Sequence, residues 1–384
     1  MGLELQEMRI KISYLVIVSV SILILVIGNK LVSSNVYIFQ SGSHEVVRAK
    51  VQTVSDRIEP QEADDMPFHN TRIIFDAKIS SGSQKGNVVS AAQNQTDFAG
   101  VTMKDVKKGD SILLINYDNE WFFNGYYRMG KLLGLGIVFS FCVLLFGGKK
   151  GFNTLLSLCL TFGAIFAVFI PSILSGKNIY IMSILVCIYT TIMTLAVVIG
   201  INKKSFAAAI GCISGIIFTG LLTVIMNRVL LLTGIVDEHS RYLANLPVAN
   251  SINLRAIIFA AIIIGAMGAI MDVAMSISSA LWEIKEKARH VTFETLFRSG
   301  LNIGRDVFGT MANTLVLAYI GTSLSVVLIL AVYSNSLQAL LNMEMIVVEI
   351  LQALAGSFGI LLTMPLTAFF CAYIYLYQTK RQLN

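Results

Sequence analysis

Two carboxylates sit in segments where a charge is costly. Asp272 falls in the run Gly265-Ala266-Met267-Gly268-Ala269-Ile270-Met271-Asp272-Val273-Ala274-Met275-Ser276-Ile277-Ser278-Ser279-Ala280. Asp306 falls in the next apolar stretch, which opens Ser299-Gly300-Leu301-Asn302-Ile303-Gly304-Arg305-Asp306 and continues Val307-Phe308-Gly309-Thr310-Met311-Ala312-Asn313-Thr314. An ionisable group at the depth of a lipid bilayer survives by meeting another charge, a counter-ion or water inside the protein. On a helix, Gly265, Gly268, Asp272, Ser276, Ser279 and Glu283 recur every three or four residues and line one face, opposite Ile, Val, Met and Ala. Small residues let another backbone come close, so Gly265 and Gly268 are expected as packing positions, with Asp272 buried between helices. Asn302, Asp306, Thr310 and Asn313 form a second stripe, and stripes on consecutive antiparallel helices can face each other. Arg305 is then a counter-charge for Asp272, a contact for an anionic lipid or ligand, or a plain cytoplasmic anchor. The chemistry open to such a set is cation binding, proton relay or passage of a polar solute. The plainer alternative is a packing face whose single Asp is satisfied by a neighbouring helix.

Other chemistry is poorly represented. The five cysteines, Cys142, Cys159, Cys187, Cys212 and Cys371, all lie in apolar segments without a C-x-x-C spacing, and the four histidines form no metal-binding pattern. Neither a metal nor a cofactor is expected. No G-x-x-x-x-G-K-[ST] phosphate loop is present, so ATP hydrolysis by this chain is not expected. Two aspartates on consecutive helices resemble the pairing in intramembrane aspartyl hydrolases. However, Gly304-Arg305-Asp306 lacks their G-x-G-D pattern, and an adjacent Arg favours ionisation of both acids instead of splitting them. Asn94-Gln95-Thr96 matches a glycosylation sequon and is read as a chance match.

The elements that must hold these residues follow from composition. The chain has 384 residues, 55% hydrophobic and 14% charged, with a mean hydropathy of +0.72. Soluble domains carry about a quarter charged residues, so much of this chain is expected to face lipid. The fold class expected is an α-helical polytopic membrane protein with about eight spans, each about 20 residues long, and a small extracytoplasmic β-rich domain. The spans are read at about 12–32, 131–147, 153–174, 179–200, 205–232, 254–281, 305–333 and 353–378. The first follows Arg9 and Lys11. It is read as an uncleaved anchor, because it is long for a signal peptide and Val32-Ser33-Ser34 is a poor cleavage site. Pro171 ends the third span and Pro365 interrupts the eighth. Asn335 to Gln352, with Glu344 and Glu349, reads as an interfacial or connecting amphipathic helix.

Basic residues set the orientation. Lys149, Lys150, Lys203, Lys204, Lys285, Lys287, Arg289, Arg298, Arg305, Lys380 and Arg381 fall on one side, and few fall on the other, notably Lys177, Arg241 and Arg255. This asymmetry places both termini in the cytoplasm and the β domain outside, with Arg128 and Lys131 as a mild exception. The net charge of +6 is thereby explained by the bilayer, and no nucleic-acid partner is expected. The domains expected are an anchor over 1–32, a β-rich barrel or sandwich of about five strands over 33–128 and a seven-helix domain over 129–384. Within the β domain, Val47, Ala49, Val51 and Thr53 alternate, as do Ile73, Phe75, Ala77 and Ile79. Ser111 to Ile115 follows a Lys107-Lys108-Gly109-Asp110 turn, Ser81 to Gly86 is a loop, and Glu59 to Asn70 is a polar loop.

At the two central stripes the chain resembles the YibE/F-like family of bacterial multi-pass membrane proteins. The matching runs are Gly265 to Ser279 and Ser299 to Asn313, continuing Thr314-Leu315-Val316-Leu317-Ala318-Tyr319-Ile320-Gly321. Ser81-Gly82, Lys85-Gly86, Lys108-Gly109-Asp110 and Tyr127-Arg128 fit as well. So do Gly148-Lys149-Lys150-Gly151, Ile170-Pro171 with Gly176, and Gly356 to Thr367. The resemblance implies a bacterial cytoplasmic-membrane protein with an extracytoplasmic β domain, and assigns no activity. On the residues, the leading function is a permease, in the export direction among others, whose path is Asp272, Ser276, Ser279, Asn302, Arg305, Asp306, Thr310 and Asn313. The second class is an assembly, chaperone or sensing protein working through the β domain. Partners expected are the lipid bilayer, an unidentified small molecule or ion, and a second copy or another membrane protein.

Overall fold

The computed structural model describes residues 2–32, 45–58, 70–96, 104–118, 120–246, 252–288, 290–333 and 336–381. The polar loop expected at 59–69, the Ser33-Ser34 half of the cleavage motif and Arg289 lie outside the described residues. The chain divides into two compact units, one of Met1–Val36 with Leu144–Asn384 and one of Tyr37–Val143. The division falls inside a helix, beyond the boundary read at 128/129.

The smaller unit holds a closed barrel of five strands in the order β1-β2-β3-β5-β4. They are β1 (Val46–Ile58), β2 (Asn70–Ile79), β3 (Val88–Thr96), β4 (Ser111–Tyr117) and β5 (Glu120–Tyr126). β1 closes the barrel against β4, and β3 meets β5 in parallel. The alternation seen in sequence fills the core: Val47, Ala49, Val51, Ile73, Phe75, Ala77, Ile79, Ile112 and Leu114 are all buried. Thr53 is exposed, because the β1–β2 register shifts between Val51 and Thr53 and turns the rest of β1 outward. β3 buries Gln93 and Gln95 among apolar neighbours. Two bonds offset the desolvation of Gln93, which accepts from Val106 N at 3.0 Å and donates to Lys104 O at 3.1 Å. The Glu45 carboxylate accepts from Ser83 N and from the Ser83 hydroxyl, and these bonds hold its pKa below the usual range.

The larger unit is helical. Its elements are α1 (Gly2–Val32), the second part of α2 (Met129–Gly163), a π-helical turn Ala164–Phe169, α3 (Ile170–Leu174), α4 (Ile179–Val198), α5 (Lys203–Val229) and the short α6 (Glu238–Ala244). There follow α7 (Leu254–Lys287), α8 (Phe293–Thr322), α9 (Leu324–Tyr333), α10 (Leu337–Leu341) and α11 (Glu344–Arg381). Side-chain caps start several of them: Asn178 accepts from Ile181 N, Asn202 from Ser205 N, Asn253 from Ala256 N and Thr292 from Thr295 N. Pro171 does not end its helix. It sits in the first turn of α3, directly after the π turn that absorbs its missing N–H and ring bulk.

Among the described residues, six helices are long and apolar enough to cross a membrane, or seven if α8 and α9 count as one bent span. The spans read at 131–147 and 153–174 belong to one apolar run, Met129–Leu174. Gly148, with φ 52° and ψ −129°, breaks its helical backbone in the middle. The span read at 305–333 is not straight: α8 and α9 are bent by 63° at Ser323. The helix expected over Asn335 to Gln352 is instead the five-residue α10 followed by the first turns of α11. Nothing between Glu349 and Gly356 stops a helix, so the amphipathic start runs straight into the apolar remainder.

Candidate functional site

The core of the helical unit lies where α5, α7, α8 and α11 meet. α7 buries Ile263, Ala266, Ile270, Val273, Ala274, Ile277 and Leu281 in one cluster with Ile216 of α5 and Ile360, Met364 and Ala368 of α11. The apolar face of α7 therefore points inward. Asp272, Ser276, Gly265 and Gly268 occupy the opposite face, where Asp272 and Ser276 are exposed and Ser279 is half-buried. This reverses the expected burial of the stripe between helices. The physical reason is the number of neighbours: α4, α5, α8 and α11 all pack on α7 and take up its large apolar side chains, which among the described residues leaves most of the small polar face uncovered.

α8 repeats the pattern. Leu296, Gly300, Gly304 and Leu315 are buried. Asn302, Arg305, Asp306, Thr310 and Asn313 are exposed on the other side. Among the described residues, no hydrogen bond or ion pair joins the α7 stripe to the α8 stripe, and Arg305 does not pair with Asp272. Thr310 satisfies its hydroxyl on its own helix, donating to Val307 O at 2.9 Å. No group of three or more His, Cys, Asp or Glu able to hold a metal occurs among the described residues.

The helices do touch at one point on this face. A Cβ built on Gly265 would lie 2.5 Å from the Tyr319 hydroxyl of α8, whereas one built on Gly268 would meet nothing within 4 Å. Gly265 thus admits Tyr319, and Gly268 stands in the open. The Tyr319 oxygen is buried and has no hydrogen-bond partner. It lies against α7 two turns from Asp272, an unpaired hydroxyl at one end of the acidic face. Sequence reasoning does not single out Tyr319, because a tyrosine in an apolar helix carries no positional signal.

The tightest glycine contacts between helices lie elsewhere. Gly211 of α5 opposes Thr367 of α11, Gly215 opposes Thr363, and Gly359 of α11 opposes Thr219 of α5. Each step of four up α5 matches a step of four down α11, so the two helices run antiparallel with Gly of one seated on Thr of the other. Thr219 and Thr363 donate to the carbonyls of Gly215 and Gly359 at 2.9 and 2.7 Å, which satisfies both hydroxyls within a buried seam. α8 joins the same helix from another side, with Gly300 on Ala368 and Gly304 on Met364.

Comparison with known proteins bears on this geometry. The family described as YibE/F-like protein matches residues 135–376. The chain belongs to the YibE/F-like family. No curated protein and no solved structure matches it. The matched segment starts after the barrel and contains both stripes, the Tyr319 contact and the Gly–Thr seam, so the family's common part is the helical unit. Within this YibE/F-like unit the seam is the closed side and the Asp272 face is the open side.

One further polar cluster escapes sequence reasoning. The Ser278 hydroxyl donates to Lys204 O at 2.8 Å and lies 2.7 Å from the hydroxyl of Tyr375, which in turn donates to Ser278 O at 3.0 Å. The ring of Tyr375 stands edge-on to Trp282, with centroids 5.0 Å apart. This ties α5, α7 and α11 together at the lysine-rich end. Ser278 lies between the two serines singled out in sequence, a single residue from Ser279, and faces the other way.

Proposed function

We propose that this YibE/F-like protein is a multi-pass protein of the bacterial cytoplasmic membrane, and a permease whose polar path runs along the Asp272 face of α7 and the Asp306 face of α8. The observation that carries the reading is that Asp272 sits among helices apolar enough for hydrocarbon, exposed and, among the described residues, without a counter-ion. A carboxylate there is costly against acyl chains, so the face needs water, a bound cation or a protein partner. A second copy supplies the cover most simply, since the small residues Gly268 and Ser276 allow close approach. Two such faces would enclose a polar route that one chain only half builds. The bend between α8 and α9 supports the same reading, because interrupted helices occur where backbone lines a cavity and not where it faces lipid. The orientation follows from the lysine and arginine asymmetry, with the barrel outside. Neither an enzymatic step nor a cofactor is needed in this scheme.

The test is Asp272→Asn in vesicles that report proton or sodium flux through a trapped fluorescent indicator, alongside rescue of a deletion strain. Flux above that of empty vesicles, lost in the Asn variant at unchanged protein level, is the expected result. Normal accumulation of the variant with full rescue of every deletion phenotype sinks the reading. The barrel, a separate compact unit with its own core, supports a second reading in which it recruits a partner for assembly or sensing. In that case removing the barrel abolishes rescue while Asp272→Asn leaves it intact.

A further inference from the structure

We infer that a cleft at the far end of α4, α5 and α7 binds the phosphate headgroup of an anionic phospholipid. The inference rests on the membrane reading above and not on transport. The cleft has a volume of about 540 Å³, and its walls include Tyr180, Asn227, Arg228, Asn253, Arg255 and Phe259. Tyr180 begins α4, Arg228 lies in the last turn of α5, and Arg255 in the first turn of α7, so all three helices present the same end. This end is opposite Lys203, Lys204 and Lys285, and is the outer one in the orientation set by the basic loops.

Three features select the ligand. Two guanidinium groups line one cleft, and among the described residues neither has an acidic partner. Arginine on the outer side runs against the charge bias of the rest of the chain and favours bidentate binding of phosphate. Below them the wall turns apolar, with Tyr180 and Phe259 packed at 4.9 Å between ring centroids and with aliphatic side chains of α4 and α5 around them. Such a floor suits an acyl chain better than a free solute. On the wall, Asn227 is 4% exposed. Its amide donates to Arg255 O at 3.4 Å, while its Oδ1 has no partner. An unpaired acceptor beside two cations fits a headgroup that carries a hydroxyl next to its phosphate.

The experiment uses the full chain in neutral detergent, titrated with short-chain phosphatidylglycerol, with phosphatidylcholine of the same chain length, and with glycerol phosphate. Binding is read by native mass spectrometry, and melting of each variant checks its fold. The expected result is a clear preference for phosphatidylglycerol. Arg228→Gln and Arg255→Gln should each weaken it by about tenfold, as loss of one charge-assisted contact implies. The double variant should bind both lipids alike, and Arg→Lys at each site should recover part of the preference. Equal binding of the two lipids by the unaltered protein, or an unchanged preference in the folded double variant, overturns the inference. Glycerol phosphate binding as tightly as the lipid overturns the lipid source and assigns a soluble phosphate instead. A chain that stays dispersed without detergent defeats the membrane reading, and with it a lipid ligand.

Discussion

Small residues recur every four positions in two places, and the structure uses them in opposite ways. Along α5 and α11, Gly211, Gly215 and Gly359 are covered so closely that an added methyl would overlap a threonine across the seam. Along α7, Gly268 faces nothing, and Asp272 and Ser276 continue the same open face. Spacing is alike in the two. What differs is the opposite surface: in the seam each glycine has a threonine to receive, and two of the three, Thr219 and Thr363, satisfy their hydroxyls on their own helices, while the buried Thr367 hydroxyl has no partner. Among the described residues, the small face of α7 has no such complement from Gly268 to Ser276. A stripe of small residues therefore marks a place where close approach is possible, and only the partner decides whether it is used.

The comparison breaks first at the seam. Gly215→Ala places a methyl against the buried side chains of Thr363 and Ile270, both branched at Cβ and neither free to move aside. Overpacking of this kind costs about 1–3 kcal/mol, and the upper end applies here. The measurement is melting of the purified protein in detergent; a variant that melts with the parent would show the seam to be looser than drawn. Gly304→Ala comes next. Its methyl meets Met364, whose flexible side chain can give way, so the loss should fall toward about 1 kcal/mol. Equal losses at the two sites would mean that neighbour stiffness does not matter.

Ser278→Ala tests the polar knot beside the seam. It removes the donor to Lys204 O and one contact of the Tyr375 hydroxyl, while Tyr375 keeps its bond to Ser278 O. The expected loss is about 1 kcal/mol, the usual net worth of one such bond. Retention of Tyr375 in its pocket, read by unchanged fluorescence of Trp282 edge-on to it, separates this from general loosening.

These differences explain what was legible in the sequence. β1, β2 and β4 were visible because alternation puts Val47, Phe75 and Leu114 on one side. β3 was implied only as the run after the loop of Ser81 to Gly86 and its extent was not legible, since its inward positions include Gln93 and Gln95, and a buried polar residue erases the pattern it helps to build. In α7 and α8 the period and the identity of each stripe were legible. Their direction was not, because an amphipathic helix shows two faces and the sequence of one helix does not say which will meet neighbours. The usual rule for water, polar side out, has no simple counterpart in lipid. The Gly–Thr seam was illegible for another reason: it joins residues from two distant segments, and neither half is distinctive alone. Bent and broken helices followed local chemistry. Ser323 ends α8 just after Thr322 donates to Tyr319 O, a side-chain bond that competes with the backbone ladder.

The smallest effect on stability is expected at the open face, and it is the one that separates the two readings of that face. Gly268→Ala meets no neighbour within its own chain, so its only local consequence is the better helix propensity of alanine, a gain of about 0.5–1 kcal/mol at most. Melting of the isolated chain should be unchanged or slightly raised. If a second copy covers this face, the larger Gly268→Leu should also leave the isolated chain intact while it prevents close approach. Chains carrying Ser276→Cys would then cross-link in membranes when Gly268 is kept, and fail to do so when Gly268→Leu is added. Cross-linking that is indifferent to the bulk at this position would remove the second copy from the scheme and leave water, a bound cation or a different protein as the cover for Asp272. A loss of stability in the isolated chain would go further, since it would mean that the face is packed internally and that the seam and the stripe are two instances of one kind of contact.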